Sequence, residues 1–112
     1  MTEIWHNPRC SKSRQTLALV EEKGPVTVRK YLEDSPTEAE IRKVLDLLSI
    51  PAIDLMRKGE AEFKERGLSK ESDEDTLIAA MVDVPKLIER PVVIANGKAR
   101  LGRPPESVLD IL

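Results

Sequence analysis

Short apolar runs alternate with longer amphipathic stretches along this chain, and each change of spacing marks a new element. Ile4 and Trp5 sit in a strand-like segment over 3–6, which runs into Asn7-Pro8-Arg9-Cys10. From 11 to 23, Leu17, Leu19 and Val20 recur without a breaker until Gly24-Pro25, which stops a helix. The β-branched stretch 26–32 predicts a second strand. A strand-loop-helix-strand unit of about 30 residues makes its two strands parallel neighbours.

Ser35-Pro36-Thr37-Glu38 reads as a helix start, with Ser35 as cap, Pro36 at the first helical position and Glu38 completing a capping box. Ile41, Val44, Leu45 and Leu48 follow at amphipathic spacing. Helix is also expected over 52–58, 60–66 and 73–83, the last with Leu77, Ile78, Met81 and Val82 on one side.

The pattern then returns to strand. Residues 91–95 are apolar and mostly β-branched, Asn96-Gly97 is a hairpin signal, and 98–101 completes the pair. Pro104-Pro105 opens a last helix carrying Val108, Leu109, Ile111 and Leu112. The order is β-α-β, a helical insert, then β-β-α. This outlines an α/β thioredoxin-like fold, a four-stranded mixed sheet with flanking helices. A dinucleotide-binding fold is excluded by the lack of Gly-x-Gly-x-x-Gly and of further parallel strands.

Composition narrows the function classes. The 112 residues are expected to form a single domain over 1–112. Aromatics make up 3%, so Leu, Ile, Val and Ala must build the core. The net charge of −2 argues against a nucleic-acid partner, and no run approaches the roughly 18 apolar residues of a membrane span. No basic n-region or apolar signal core opens the chain, so a cytoplasmic location is expected. The single cysteine cannot form an internal disulfide, and one Cys with one His cannot supply a usual zinc set, so no metal or bound cofactor is expected.

Cys10 lies between the first strand and the first helix, where unpaired backbone N–H groups and the positive dipole end favour a thiolate. Arg9, Lys12, Arg14 and His6 stand nearby in sequence. Most lone cysteines are small buried hydrophobes, but a strand-helix junction with cationic neighbours contradicts an inert apolar site. His6 can either lower the thiol pKa or hold the loop by hydrogen bonds. Arg14, one turn into the helix, can face the same site or simply be solvated.

The stretch His6-Asn7-Pro8-Arg9-Cys10-Ser11-Lys12-Ser13-Arg14 resembles the His-x3-Cys-x3-Arg signature of the glutaredoxin-coupled arsenate reductases, the ArsC family. Leu55-Met56-Arg57-Lys58 is similar to that family's LLRK segment, and Leu87-Ile88-Glu89-Arg90-Pro91-Val92-Val93 to its LINRPIV. Arg100-Leu101-Gly102-Arg103-Pro104-Pro105-Glu106 is similar to the segment that carries its last functional arginine. The resemblance covers essentially the whole chain.

It implies that Cys10 is a nucleophile that forms a covalent arsenic adduct, with His6 and Arg14 beside it. Arg57, Arg90 and Arg103 would hold the oxyanion, and Pro91 would be the cis-proline facing the cysteine. Guanidinium forks suit a tetrahedral oxyanion and offset its repulsion of a thiolate. Any one arginine is more simply a surface ion pair, although Arg90 and Arg103 each precede a proline and so favour extended backbone. Glutathione as co-substrate and glutaredoxin as partner would supply the electrons, because the chain has no resolving cysteine. Two rival expectations keep the fold: a glutathione-dependent thiol-disulfide reductase, and a non-enzymatic Spx-like regulator that contacts RNA polymerase. The redox-sensing members of the latter use Cys-x-x-Cys, whereas Ser13 stands at the second position here.

Overall fold

The three residues Glu3–Trp5 form strand β1, which has a paired strand on either side: one from the segment that follows it and one from the end of the chain. The computed structural model describes residues 2–89 and 91–112. They fall into two compact units: the described residues of Met1–Asp34 with Arg90–Leu112, and Ser35–Glu89.

In the first unit β1 pairs in parallel with β2 (Thr27–Arg29) and antiparallel with β3 (Val92–Ala95), which pairs antiparallel with β4 (Lys98–Leu101). The order β2-β1-β3-β4 is that of a thioredoxin-like mixed sheet. Helix α1 (Ser11–Glu22) makes the crossover from β1 to β2, as parallel pairing requires. Asn96 and Gly97 both take positive φ, 54° and 73°, as a two-residue hairpin turn demands. Ile4, Val20, Val93, Ala95, Val108 and Ile111 form a buried cluster that joins the sheet to α1 and to the final helix.

Two expectations for this unit are corrected. The second strand was expected over 26–32 but spans only Thr27–Arg29. Its partner β1 is equally short, and Lys30 O accepts from the backbone N–H groups of Glu33 and Asp34, which turns the chain. The final helix, Pro105–Ile111, is wound as a 3₁₀ helix: Ser107 N donates to Pro104 O.

In the second unit α2 (Glu38–Leu48) packs against α4 (Glu74–Asp83), with the short α3 (Ala61–Glu65) between them in sequence. Ile41, Val44 and Leu45 of α2 are buried, as are Leu77, Ile78 and Met81 of α4, which is the stripe their spacing predicts. The cap of α2 is Thr37, not Ser35. Thr37 Oγ1 accepts from Glu40 N at 3.2 Å while Glu40 Oε1 accepts from Thr37 N at 2.9 Å, so the capping box sits two residues later than expected. Ser35 instead donates to Val82 O at 3.0 Å. Helix over 52–58 is also corrected: a 3₁₀ turn covers Ala52–Leu55, then Met56 pairs antiparallel with Ile88. Arg57 N donates to Leu87 O at 2.8 Å and Glu89 N to Leu55 O at 2.7 Å, so backbone pairing with a distant segment overrides local helix preference.

Candidate active site

Between β1 and α1 the backbone tightens into a turn in which Cys10 N donates to Asn7 O at 3.0 Å. Cys10 is the N-cap of α1, with extended backbone and no side-chain cap bond, and the first turn beyond it carries no acidic residue. The dipole end of a twelve-residue helix is therefore not compensated from within. Cys10 is half-buried.

The loop is held from beneath by a side chain that sequence reasoning had noted only as a missing cysteine. Ser13 is fully buried, and its hydroxyl lies 2.7 Å from His6 Nδ1 while accepting from Asn7 N at 3.0 Å. Its spacing from Cys10, one helical turn, was the available signal. Asn7, also buried, accepts from Arg9 N through Oδ1 at 3.0 Å. Burial, reinforced by the nearby charges of Lys30 and Arg14, holds the His6 pKa below its ordinary value of 6.5. The imidazole is then neutral at pH 7 and adds no charge to the cationic surroundings of Cys10. Arg14 is exposed and reaches back over the turn, where Nη1 donates to Pro8 O at 2.9 Å.

Behind the loop, α1 meets the strand ends at unusually close range. Gly102 N donates to Pro91 O at 2.9 Å. A Cβ placed on Gly102 would lie 2.5 Å from Thr16 Oγ1 and 2.6 Å from Pro91 Cγ. The missing side chain is what lets Thr16, fully buried on α1, seat against the segment that leads into Arg103. Arg103 itself is exposed. Arg90 lies outside the described residues, and so does the Arg90–Pro91 bond for which the cis geometry was expected. The cis bond among the described residues joins Arg103 and Pro104.

Arg57 belongs to the second unit. It lines a cavity of about 330 Å³ with Met56, Lys58, Glu60 and Glu89. Its Nε lies 3.2 Å from Glu60 Oε1, and its Nη1 lies 4.0 Å from Glu89 Oε1. That Nη1 is buried and makes no hydrogen bond among the described residues. Lys86 Nζ adds contacts to Glu60 at 3.5 Å and Glu62 at 3.4 Å. These carboxylates give the cavity both signs of charge, which sequence reasoning missed because Glu60 and Glu89 are 29 positions apart (89 − 60).

A family of known proteins matches the chain over nearly its whole length. The ArsC family matches residues 5–111. The chain belongs to the ArsC family. The uncharacterized protein YfgD of Escherichia coli is 53% identical, over 98% of this chain and 95% of its own length. An arsenate reductase of Neisseria meningitidis is 44% identical, over 98% of this chain and 97% of its own length. The structure of an arsenate reductase from Vibrio cholerae superposes with a TM-score of 0.95 at 48% identity, covering 99% of this chain and 97% of that one.

Within this ArsC-family chain, Cys10, His6, Arg14, Pro91 and Arg103 all belong to the first unit, while Arg57 stands in the second. Among the described residues no three His, Cys, Asp or Glu side chains are grouped to hold a metal ion. No helix among them is long and apolar enough to cross a membrane.

Proposed function

We propose that this chain is a cytoplasmic arsenate reductase in which the Cys10 thiolate attacks arsenic and external thiols supply the electrons. The observation that carries the reading is the position of Cys10 at the uncompensated N-terminus of α1, since the thiolate is the form that attacks. The name of the Neisseria meningitidis relative supports the substrate.

In the first step the Cys10 sulfur forms a bond to arsenic(V), and one arsenate oxygen leaves as water after taking up a proton. Arg57, Arg90 and Arg103 hold the remaining oxygens and neutralise their charge. In the second step glutathione attacks the Cys10 sulfur. An S–S bond forms, the S–As bond breaks with its electron pair going to arsenic, and arsenite departs carrying the thiol proton. Arsenic gains two electrons and the two thiols lose them. Glutaredoxin then takes the glutathionyl group by thiol-disulfide exchange and restores Cys10. No bound cofactor is needed. His6, neutral and bonded to Ser13, shapes the loop, and Arg14 ties the turn through Pro8 while adding positive charge.

A second reading, a glutathione-dependent thiol-disulfide reductase, is favoured by one observation. Glu60 and Glu89 already occupy the surroundings of Arg57 and weaken it as an anion site. A glutathione- and glutaredoxin-coupled NADPH assay separates the two. Arsenate-dependent oxidation above the disulfide control supports the reductase of arsenate, and turnover on a glutathionylated disulfide alone supports the other.

A further inference from the structure

The parallel strands β1 and β2 run out at the same end of the sheet, and the segments leaving them line a groove of about 280 Å³. Open α/β sheets customarily hold ligands beyond the carboxyl ends of their parallel strands. His6, Asn7 and Arg9 line one side of this groove, and Lys30, Leu32 and Glu33 the other. Its charges are two cations, Arg9 and Lys30, and one anion, Glu33, and none of the three has an ion-pair partner among the described residues. The neighbouring Asp34 is engaged by Arg29 at 3.4 Å, so Glu33 is the acid left to face the groove. Leu32, 43% exposed, adds an apolar surface that nothing in this unit covers among the described residues.

We propose that this groove binds the thiol co-substrate as a γ-glutamyl-cysteinyl-glycine tripeptide, its two carboxylates on Arg9 and Lys30 and its ammonium on Glu33. The inference rests on the glutathione-coupled reading above. At neutral pH such a tripeptide carries two carboxylates and one ammonium, the inverse of the groove's three charges. A plain oxyanion or a nucleotide would leave Glu33 opposed to like charge. Arg9, which lines the groove, immediately precedes Cys10, so their Cα atoms lie about 3.8 Å apart, whereas an extended tripeptide spans roughly 10 Å. A tripeptide seated there lies beside the loop that carries Cys10, with its central cysteine the group that must reach that sulfur. Its thiol attacks the Cys10 sulfur of the arsenic adduct, the S–S bond forming as the S–As pair leaves on arsenic.

The test titrates S-methylglutathione, which cannot react, into the wild-type protein and into Lys30→Glu, Glu33→Lys and Lys98→Glu. Lys98 makes the same charge change on β4, at the opposite edge of the sheet. Amide NMR shifts locate the binding, and steady-state assays give KM for glutathione and for arsenate. Shifts should centre on 6–9 and 30–33. Lys30→Glu and Glu33→Lys should each weaken binding and raise KM for glutathione about tenfold, the loss of one charge-assisted contact. KM for arsenate should not follow, and Lys98→Glu should behave as wild type. Specific, saturable use of glutathione with Lys30→Glu and Glu33→Lys both unaffected would overturn the groove while leaving the coupled mechanism standing. If 2-mercaptoethanol at equal concentration served as well as glutathione, without saturation by either, the coupled mechanism and the groove would fall together.

Discussion

Replacing Gly102 by alanine probes how tightly α1 is seated against the strands. The added Cβ would stand 2.5 Å from Thr16 Oγ1 and 2.6 Å from Pro91 Cγ, against an ordinary contact of about 3.5–4.0 Å. Roughly 1 Å of relief is needed in two directions at once. Neither neighbour yields easily: Thr16 is buried and donates to Lys12 O at 2.8 Å, and Pro91 is a closed ring. Overpacking of this kind costs about 1–3 kcal/mol, a fall in Tm of roughly 4–12 °C for a domain of this size. Gly59→Ala is the control, because its Cβ meets nothing within 4 Å, and a surface change of that kind stays within about 0.5 kcal/mol. Since Cys10 caps α1, a helix pushed by about 1 Å should also lose on the order of 100-fold in turnover. The measurements are thermal unfolding by circular dichroism and arsenate reduction on both variants. Adding Thr16→Ala to Gly102→Ala should recover part of the loss through direct coupling, about 0.5 kcal/mol or more. A Gly102→Ala protein that melts with wild type would refute the tight approach.

Four further outcomes are expected. Cys10→Ser should abolish turnover, and iodoacetamide labelling of wild type should show a midpoint below the usual thiol value of about 8.5; a midpoint at or above it defeats the activated thiolate. Alanine at Arg57, Arg90 or Arg103 should cut efficiency with arsenate by roughly one to two decades while sparing a disulfide substrate, and equal losses on both substrates would mean these side chains serve folding. Glu60→Gln should lower KM for arsenate by removing the carboxylate that lies 3.2 Å from Arg57 Nε; a raised KM would instead make Glu60 the group that orients the arginine. Burial depresses the His6 pKa below 6.5, so as pH falls through that value the unfolded chain takes up a proton that the folded one refuses, and stability drops. His6→Asn should remove that part of the decline in Tm below about pH 6.5, and an unchanged pH slope in the variant would contradict it.

What was legible in the sequence was whatever a short window contains. The i, i+3, i+4 stripe of α2, the Asn96-Gly97 turn, the stop at Gly24-Pro25 and the place of Cys10 at a strand-helix junction all depend on neighbours within a few residues. The four motif segments around Cys10, Arg57, Arg90 and Arg103 carried the family in the same way, as linear strings. Tertiary structure decided what depends on partners far along the chain. Helix stops after Leu55 and Met56 turns extended because 87–89 offer backbone hydrogen bonds to Leu55 and Arg57, and β2 is short because β1 gives it only three residues to pair with. Thr37 rather than Ser35 caps α2, because Ser35 donates to Val82 instead. Ser13 became the anchor of the active loop only when helix α1 turned its hydroxyl beneath His6 and Asn7. The contact of Gly102 with Thr16 and Pro91, and the carboxylates around Arg57, join residues that no local pattern relates. Periodicity reports which face of an element is apolar, but only the folded chain determines what that face and its polar edges meet.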